Sequence, residues 1–375
     1  MKQTTVTILT HSFLDGYTQN ISRPFGGGLE RYILSLCRVI AAMGLQPIVY
    51  QLSYFGSFDS EYESIPVRGW TYDTERIGAA FETMAAAAEG LIIYASCIWQ
   101  PIRYRPGSIG ICHGISWDRQ AMPHQAKLEL ASVINNAVSQ LDVVVSVDSQ
   151  FLTYCRSVCE FIDSRRIPLL PNSVDTSWFT PPTDKDEAGG QMLRILYPRR
   201  LSFERGIVPM MLLADSILRD YPNVIIEFAG ELVENTPVAA AFRLWRDAHL
   251  HQARIEQRVY DFDDVRSAYI NADIAVIPTI YSEGTSLSCL EAMSCGLPVV
   301  ASNVGGLNDI VIDGLNGRKT PPSSASLEAA VRSLLDNKEE RLRMGRMARQ
   351  TALSFDHGKW EAAWTALIAE QLADH

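Results

Sequence analysis

The sequence predicts an α/β protein made of two doubly wound, parallel-sheet domains facing a central ligand cleft. Three observations carry that reading. Short, continuously apolar runs alternate with helix-period stretches from end to end, the pattern of strands covered by helices on both faces. The chain of 375 residues exceeds the ~250–300 at which single cores stop growing. The stretch FTPPTDKDEAGGQM, Phe179 to Met192, combines Pro-Pro, charge and Gly-Gly, which is linker chemistry between two halves of one plan. The expected division is 1–185, 186–355 and a last helical segment, 356–375.

In the first half the strand candidates are TVTILT (5–10), QPIVYQL (46–52), GLIIYAS (90–96), GSIGICH (107–113) and LDVVVSVD (141–148). Between the first two, LERYILSLCRVIAAMG puts Leu29, Ile33, Leu36, Cys37 and Ile40 on one helical stripe and stops at Gly44. The second half repeats the plan. LRILYPRR, VIIEFAG, ADIAVIP and LPVVASN read as strands, with IVPMMLLADSILRDYP, VRSAYINA and SLSCLEAMSCG as the helices between them. The tail DHGKWEAAWTALIAEQLA is one more helix, whose apolar face of Trp360, Trp364, Leu367 and Ile368 must dock somewhere.

With 47% hydrophobic and 20% charged residues, the composition is that of a globular protein, not a disordered one. No run approaches the ~20 apolar residues of a transmembrane helix. The opening MKQTTVTILTHSF enters a strand without the apolar region of a signal peptide. A soluble, cytoplasmic protein is expected. Seven scattered cysteines argue against a disulfide framework and fit a reducing compartment. Cys155 and Cys159 stand four apart on a helix, but no histidine lies nearby to complete a metal site. The net charge of −10, negative in both halves, opposes nucleic acid as a partner.

Chemistry concentrates in YSEGTSLSCLEAMSCG, Tyr281 to Gly296, where Glu283 and Glu291 flank a soft turn that opens a helix. A helix N-terminus offers unpaired N–H groups and partial positive charge. Gly284, Thr285, Ser286 and Ser288 are small enough to let a phosphate reach those amides. Glu291 falls about two turns in, at ~1.5 Å rise per residue, where its carboxylate suits a ribose diol. Glu283 lies just before the helix on the cleft side. A capping arrangement, with one glutamate solvated and the other buried and paired, accounts for the same residues. In YPRRLSFERG, Arg199 and Arg200 end a strand and Arg205 follows in the loop, at the edge of a parallel sheet where ligands bind. Their forks suit phosphate oxygens; surface pairing with Glu204 is the plainer alternative.

Gly26, Gly27 and Gly28 precede a helix and permit a close backbone approach to a ligand, as would a merely flexible loop. No Gly-Lys-Ser/Thr follows, and contiguous glycines do not make a GxGxxG fingerprint. His113, in GICHGISWD, ends a strand pointing toward the same cleft, although a lone histidine is commonly structural. The run DFDD, Asp261 to Asp264, looks like an Asp-x-Asp metal motif but precedes a helix, so Asp263 or Asp264 reads as its N-cap. No metal is expected.

Taken together, SEGTSLSCLEAMSCGLPVVASNVGGLNDIVIDGLNGRKTPP resembles the signature block of the retaining GT-B glycosyltransferases of family 4, the glycosyl transferases group 1. GGLERYI, LLPNSVDTSWFTP, RRLSFERG and AYINADIAVIPT support the resemblance, in order and spacing, over nearly the whole chain. It implies two Rossmann-like domains and a nucleotide-sugar donor, most commonly a UDP-sugar, held mainly by the second. The acceptor, a saccharide, a lipid-linked saccharide or a small metabolite, falls to the first. It further implies that Glu291 binds the ribose and Glu283 contacts the donor sugar near the reacting centre. The amides from Gly284 and Thr285 through Ser286 and Leu287 to Ser288 then meet sugar hydroxyls and phosphate. Arg200 and Arg205 serve the diphosphate, Gly27 and Gly28 face it, and His113 lies beside the transferred sugar. Asn172 falls in the crossover region, Val259 and Tyr260 cradle the base, and the last helix returns to the first domain.

Three departures stand out. Arg205 replaces the usual lysine, Asp309 a glutamate, and Thr285-Ser286 a Phe-Gly pair. The implied reaction is α-retaining transfer by front-face substitution with no cofactor, fixed cations and a helix N-terminus stabilising the leaving diphosphate. Rival readings are a nucleotide-sugar epimerase, a pyridoxal phosphate-dependent phosphorylase, or an inactive sugar-binding homologue. YQLSYFGSF (50–58) would suit an acceptor surface or a peripheral contact with the inner face of a membrane.

Overall fold

The computed structural model describes residues 4–16, 19–119, 121–160, 167–182, 192–261, 263–281 and 283–374. The chain divides into two compact units, Met1–Asn172 with Gly358–His375, and Ser173–His357.

The first unit contains β1 (Thr5–Thr10), β2 (Leu14–Asp15), β3 (Asn20–Pro24), α1 (Gly28–Ala42), β4 (Gln46–Ser53), β5 (Phe58–Tyr62) and β6 (Ile65–Thr71). It continues through α2 (Ile77–Ala87), β7 (Leu91–Tyr94), β8 (Ile109–Cys112), α3 (His124–Gln140), β9 (Val143–Ser146) and α4 (Ser149–Val158). Its main sheet runs β5-β6-β4-β1-β7-β8-β9. Every pairing in that sheet is parallel except β5 with β6, and β2 and β3 form a small antiparallel ribbon. Successive strand residues go to opposite faces. Val6 and Ile8 therefore join the core under α1, while Leu9 joins the core under α2 and α3. The apolar stripe of α1 buries Ile33, Leu36, Cys37 and Ile40, and the helix stops before Gly44, which takes a left-handed φ of +76°.

The second unit contains β10 (Leu193–Tyr197), α5 (Ile207–Asp220), β11 (Val224–Ala229), α6 (Pro237–Ala248), β12 (Ile255–Arg258), α7 (Val265–Ile270) and β13 (Ile274–Ile277). It continues with α8 (Leu287–Ser294), β14 (Val299–Ser302), α9 (Leu307–Ile310), β15 (Gly317–Thr320), α10 (Ser324–Leu335) and α11 (Lys338–Ala352). Its sheet is parallel throughout, ordered β12-β11-β10-β13-β14-β15. Ile195 and Tyr197 face one core, Leu196 the other. Val174 and Phe179 pack into that second core. Most of the Pro/Gly-rich linker stretch lies outside the described residues.

Finally α12 (His357–Ala373) packs onto the first unit. Trp360, Trp364 and Ile368 are buried there, and Trp364 Nε1 donates to Tyr32 Oη at 2.9 Å. Strands β2, β3, β5, β6, β12 and β15 were not anticipated: β5, β12 and β15 are edge strands, which keep polar residues where core strands cannot, and β6, next to the edge, is broken up by Pro66, Arg68 and Gly69. No helix among the described residues is long and apolar enough to cross a membrane.

Candidate active site

Two sets of side chains gather at carboxyl edges of the parallel sheets, one in each unit. In the second unit, β10 runs through Pro198 into Arg199, which is buried. Arg199 Nη2 donates to Glu283 Oε2 at 2.6 Å, and its Nη1 to Ser286 Oγ at 2.8 Å. Arg205 Nη1 donates to the same glutamate oxygen at 2.6 Å, and Thr279 Oγ1 does so at 2.9 Å. Burial alone would raise the pKa of Glu283. The adjacent Arg199 and Arg205 outweigh it and hold the carboxyl down at about 2. Glu283 is therefore an ionised anchor for two guanidinium forks, and a general acid needs a pKa nearer the working pH.

The backbone around this cluster is locked by close approaches. Tyr197 Oη lies 3.2 Å from the Arg200 carbonyl and 3.0 Å from that of Arg205. Gly206, at φ +83°, leaves no room for a side chain: a Cβ there would fall 1.9 Å from the Pro278 carbonyl oxygen. Gly305, at φ +51°, is pressed as closely on the Glu283 carbonyl, and Gly306 N donates to that carbonyl at 2.9 Å. Only glycine tolerates both the conformation and the contact.

Gly284, Thr285 and Ser286 are buried, and Ser286 occupies the N-cap of α8. Its hydroxyl is held by Arg199 and makes no cap bond, so it leaves the amides of Leu287 and Ser288 uncapped by that side chain. Two turns on, Glu291 is buried and accepts a 2.6 Å bond from Tyr269 Oη. Arg200 is exposed, its carbonyl facing Tyr197. Val259 is 66% exposed, while the Tyr260 hydroxyl donates to buried Glu227. Asp264 takes the N-cap position of α7 without a side-chain cap bond, and Asp309 sits in the first turn of α9.

In the first unit, Gly27 is the N-cap of α1 and Gly28 its first residue. His113 directly follows β8. Its ring meets Tyr32 edge-on at 4.7 Å, and Nε2 is buried with no hydrogen-bond partner among the described residues. Burial, with His11 as a second cause, pushes its pKa down to about 4, so the imidazole is neutral at pH 7. His11 directly follows β1; its Nδ1 lies 3.0 Å from Ser96 Oγ, and burial lowers its pKa as well. Asn172 is buried at the end of the unit's first segment. Among the described residues no three His, Cys, Asp or Glu side chains are grouped to hold a metal ion.

The structure thus brings Glu283, Arg205 and Ser286 together with Arg199, which the sequence had offered beside Arg200 without a separate role, and adds Thr279, which sequence reasoning had not assigned. His11 was missed as well, although it carries the signal that singled out His113: a histidine directly after a strand.

The profile described as "Glycosyl transferases group 1" matches residues 184–351. The second unit belongs to the glycosyl transferases group 1 family. Curated relatives of the chain include the glycogen synthase of Mycobacterium tuberculosis, 32% identical over 209 residues. That match covers 55% of the chain and 48% of the relative, so the chain spans about half the length of the first curated relatives it matches. D-inositol 3-phosphate glycosyltransferase of Geodermatophilus obscurus is 24% identical across 92% of the chain and 85% of its own length. Among solved structures, sucrose-phosphate synthase from Thermosynechococcus elongatus superposes with a TM-score of 0.79 at 20% identity, covering 99% and 100% of the two chains. Anabaena HepE, solved with UDP-glucose, gives 0.73 at 17% identity over 98% and 99%. The chain has the GT-B fold.

Proposed function

We propose that the chain is a retaining glycosyltransferase that takes a sugar from a nucleoside diphosphate sugar, in the first instance a UDP-sugar, and passes it to an acceptor hydroxyl. The observation that carries the reading is the pair of arginine forks fixed on one buried carboxylate beside the start of α8. Breaking a glycosyl–phosphate bond leaves negative charge on the diphosphate. Stabilising that charge calls for preorganised cations and amides. Arg205, with a side chain 32% exposed, reaches outward from the anchor, while Arg199, only 7% exposed, braces it from within.

In this reading the amides from Gly284 to Ser288 seat phosphate and sugar hydroxyls, and exposed Arg200 adds to the same field. Glu291, steadied by Tyr269, accepts the ribose hydroxyls, with Val259 and Tyr260 beside the base. Gly27, Gly28, His113 and Asn172 complete the donor and acceptor contacts, His113 as a neutral hydrogen-bonding imidazole. Retention follows from front-face attack: the acceptor proton passes to the leaving phosphate oxygen as the new bond forms on the same face. Glu283, already ionised and tied to two arginines, orients rather than attacks. Fixed cations take the part a metal would have. The HepE structure with UDP-glucose supports the choice of donor class.

The test is a thermal-shift panel of UDP-, GDP- and ADP-sugars followed by nucleotide release. A ligand at 100 times its Kd stabilises by about 2.7 kcal/mol, so one donor class is expected to raise the melting temperature by several degrees, and Glu291→Ala to abolish the rise. No shift and no nucleotide release with any donor refutes the reading. Loss of activity in EDTA refutes its metal-free form.

A further inference from the structure

Just past the carboxyl ends of five parallel strands of the first unit stand Tyr54 after β4, Tyr72 after β6, His11 after β1, Ser96 after β7 and His113 after β8. Ligands of open parallel sheets bind at this edge, at the point where the strand order reverses. Here that point lies between β1 and β7, so His11 and Ser96 flank it. From there exposure rises, from buried Ser96 and Cys97 through half-buried Tyr72 to exposed Tyr54. Ser96 Oγ, 3.0 Å from His11 Nδ1, also lies 3.8 Å from Cys97 Sγ. Tyr72 packs against the same apolar core as Cys97, and its ring meets that of Tyr54 edge-on at 5.4 Å. At the outer end Tyr54 is 51% exposed and Phe55 40%, and Phe55 is held in one orientation by stacking on Phe58 at 5.6 Å and 3°.

We infer that this track is the acceptor site and that its acceptor is a neutral saccharide, one ring lying on Tyr54 and Phe55 and the neighbouring hydroxyls read by His11, whose ring buried Ser96 positions. The inference rests on the glycosyltransferase reading for its role and adds the acceptor class. A sugar ring offers an apolar C–H face and a rim of hydroxyls. It matches aromatic rings set beside uncharged hydrogen-bonding groups, because the electron-rich ring face attracts the polarised C–H bonds. Charge decides against the alternatives. From Tyr54 to Arg76 the chain carries five carboxylates (Asp59, Glu61, Glu63, Asp73, Glu75) against Arg68 and Arg76; with Arg38, which pairs with Glu63, counted in, the net is −2. An anionic membrane or a phosphorylated acceptor would be repelled, since aromatic surfaces that seat on membranes pair their rings with lysine and arginine.

The experiment uses the full chain and its Tyr54→Ala/Phe55→Ala double variant, both changes being at exposed positions. First, nucleotide release from the best donor is measured in water alone, then with neutral p-nitrophenyl glycosides and maltooligosaccharides. The expected result is stimulation of the wild type by at least one neutral glycoside. In the variant its KM rises about tenfold, a stacking interaction's share, while release in water stays within about twofold. Second, saturation-transfer NMR reads binding of the same glycosides without turnover and is expected to weaken in the variant. Equal KM and equal transfer in variant and wild type overturn the inference, as does absence of both stimulation and binding. Binding of the wild type to phosphatidylglycerol vesicles that the variant loses also overturns it and assigns the patch to a membrane. Failure of nucleotide release in every condition strikes instead at the glycosyltransferase reading, and the NMR arm still reports on the track.

Discussion

Removing Arg199 tests the central cluster most directly. In Arg199→Ala, Glu283 stays buried and keeps Arg205 and Thr279 on its Oε2, but loses its most deeply buried counter-charge. The carboxyl, ordinarily near 4.5, is held at about 2; at 1.36 kcal/mol per pKa unit that is about 3 kcal/mol of preference for the ionised form. Breaking a buried pair by deleting one partner costs about 3–5 kcal/mol, less here because Arg205 remains. A loss of about 2–3 kcal/mol follows, or about 5–10 °C in melting temperature for a domain of this size. Urea unfolding of the second unit, followed by circular dichroism, measures it. Arg199→Met/Glu283→Gln, which removes both charges of the pair, should recover about 1 kcal/mol or more relative to the sum of the single changes. Proton linkage gives a second readout. The unfolded glutamate binds its proton below about 4.5 and the folded one only near 2, so this stabilisation is present above pH ~4.5 and is lost as the pH falls toward 2. In Arg199→Ala the folded pKa rises, so the window narrows from its acid end and less stability is lost across it. A stability change within about 0.5 kcal/mol, or strict additivity in the double variant, would refute the reasoning.

Other expectations follow from the same geometry. Trp364→Ala empties a fully buried site and removes the bond to Tyr32; it should cost the first unit about 3–5 kcal/mol and expose α12 to limited proteolysis, and an unchanged urea curve would contradict this. Gly305→Ala forces a Cβ onto the Glu283 carbonyl at φ +51°; a loss of about 1–3 kcal/mol together with the nucleotide-sugar thermal shift is expected, and a normal shift would show that the loop is not held as described. The His113 pKa of about 4 lies below its ordinary 6.5, so between those values the folded state binds fewer protons than the unfolded chain. Its contribution is full above pH ~6.5 and lost as the pH falls through 4; an imidazole NMR midpoint near 6.5 would refute the assignment.

The parts of the molecule legible in sequence were those governed by one strong local rule. Runs such as ADIAVIP are buried on both faces, so they announce themselves as central strands. The stripe on α1 and the tryptophans of α12 fit a helical period that no strand would keep. The strands at and beside the edges were hidden because their physics is mixed: Pro66, Arg68 and Gly69 interrupt β6, the last strand but one, and the edge strand β12 reads IEQR. Within the site, Glu283 and Glu291 were visible from their placement around a helix start. The division of labour between Arg199 and Arg200 was not, since two adjacent arginines after a strand look alike until the backbone direction decides which turns inward. A residue distant in sequence lies against that backbone: a Cβ on Gly230 would fall 2.0 Å from the Arg199 carbonyl oxygen.

Because α12 supplies Trp360 and Trp364 to a core otherwise built from residues before 173, the two units cannot mature in the order in which they are synthesised. The surface around Tyr32 waits while roughly 185 further residues are added, about 10–40 s at a bacterial pace of translation. The second unit is contiguous and free to fold in that interval, so it is ready before the first is sealed. A premature stop just before Gly358 would therefore leave a nascent chain with one finished unit and an open apolar face on the other, the kind of product that chaperones and proteases recognise.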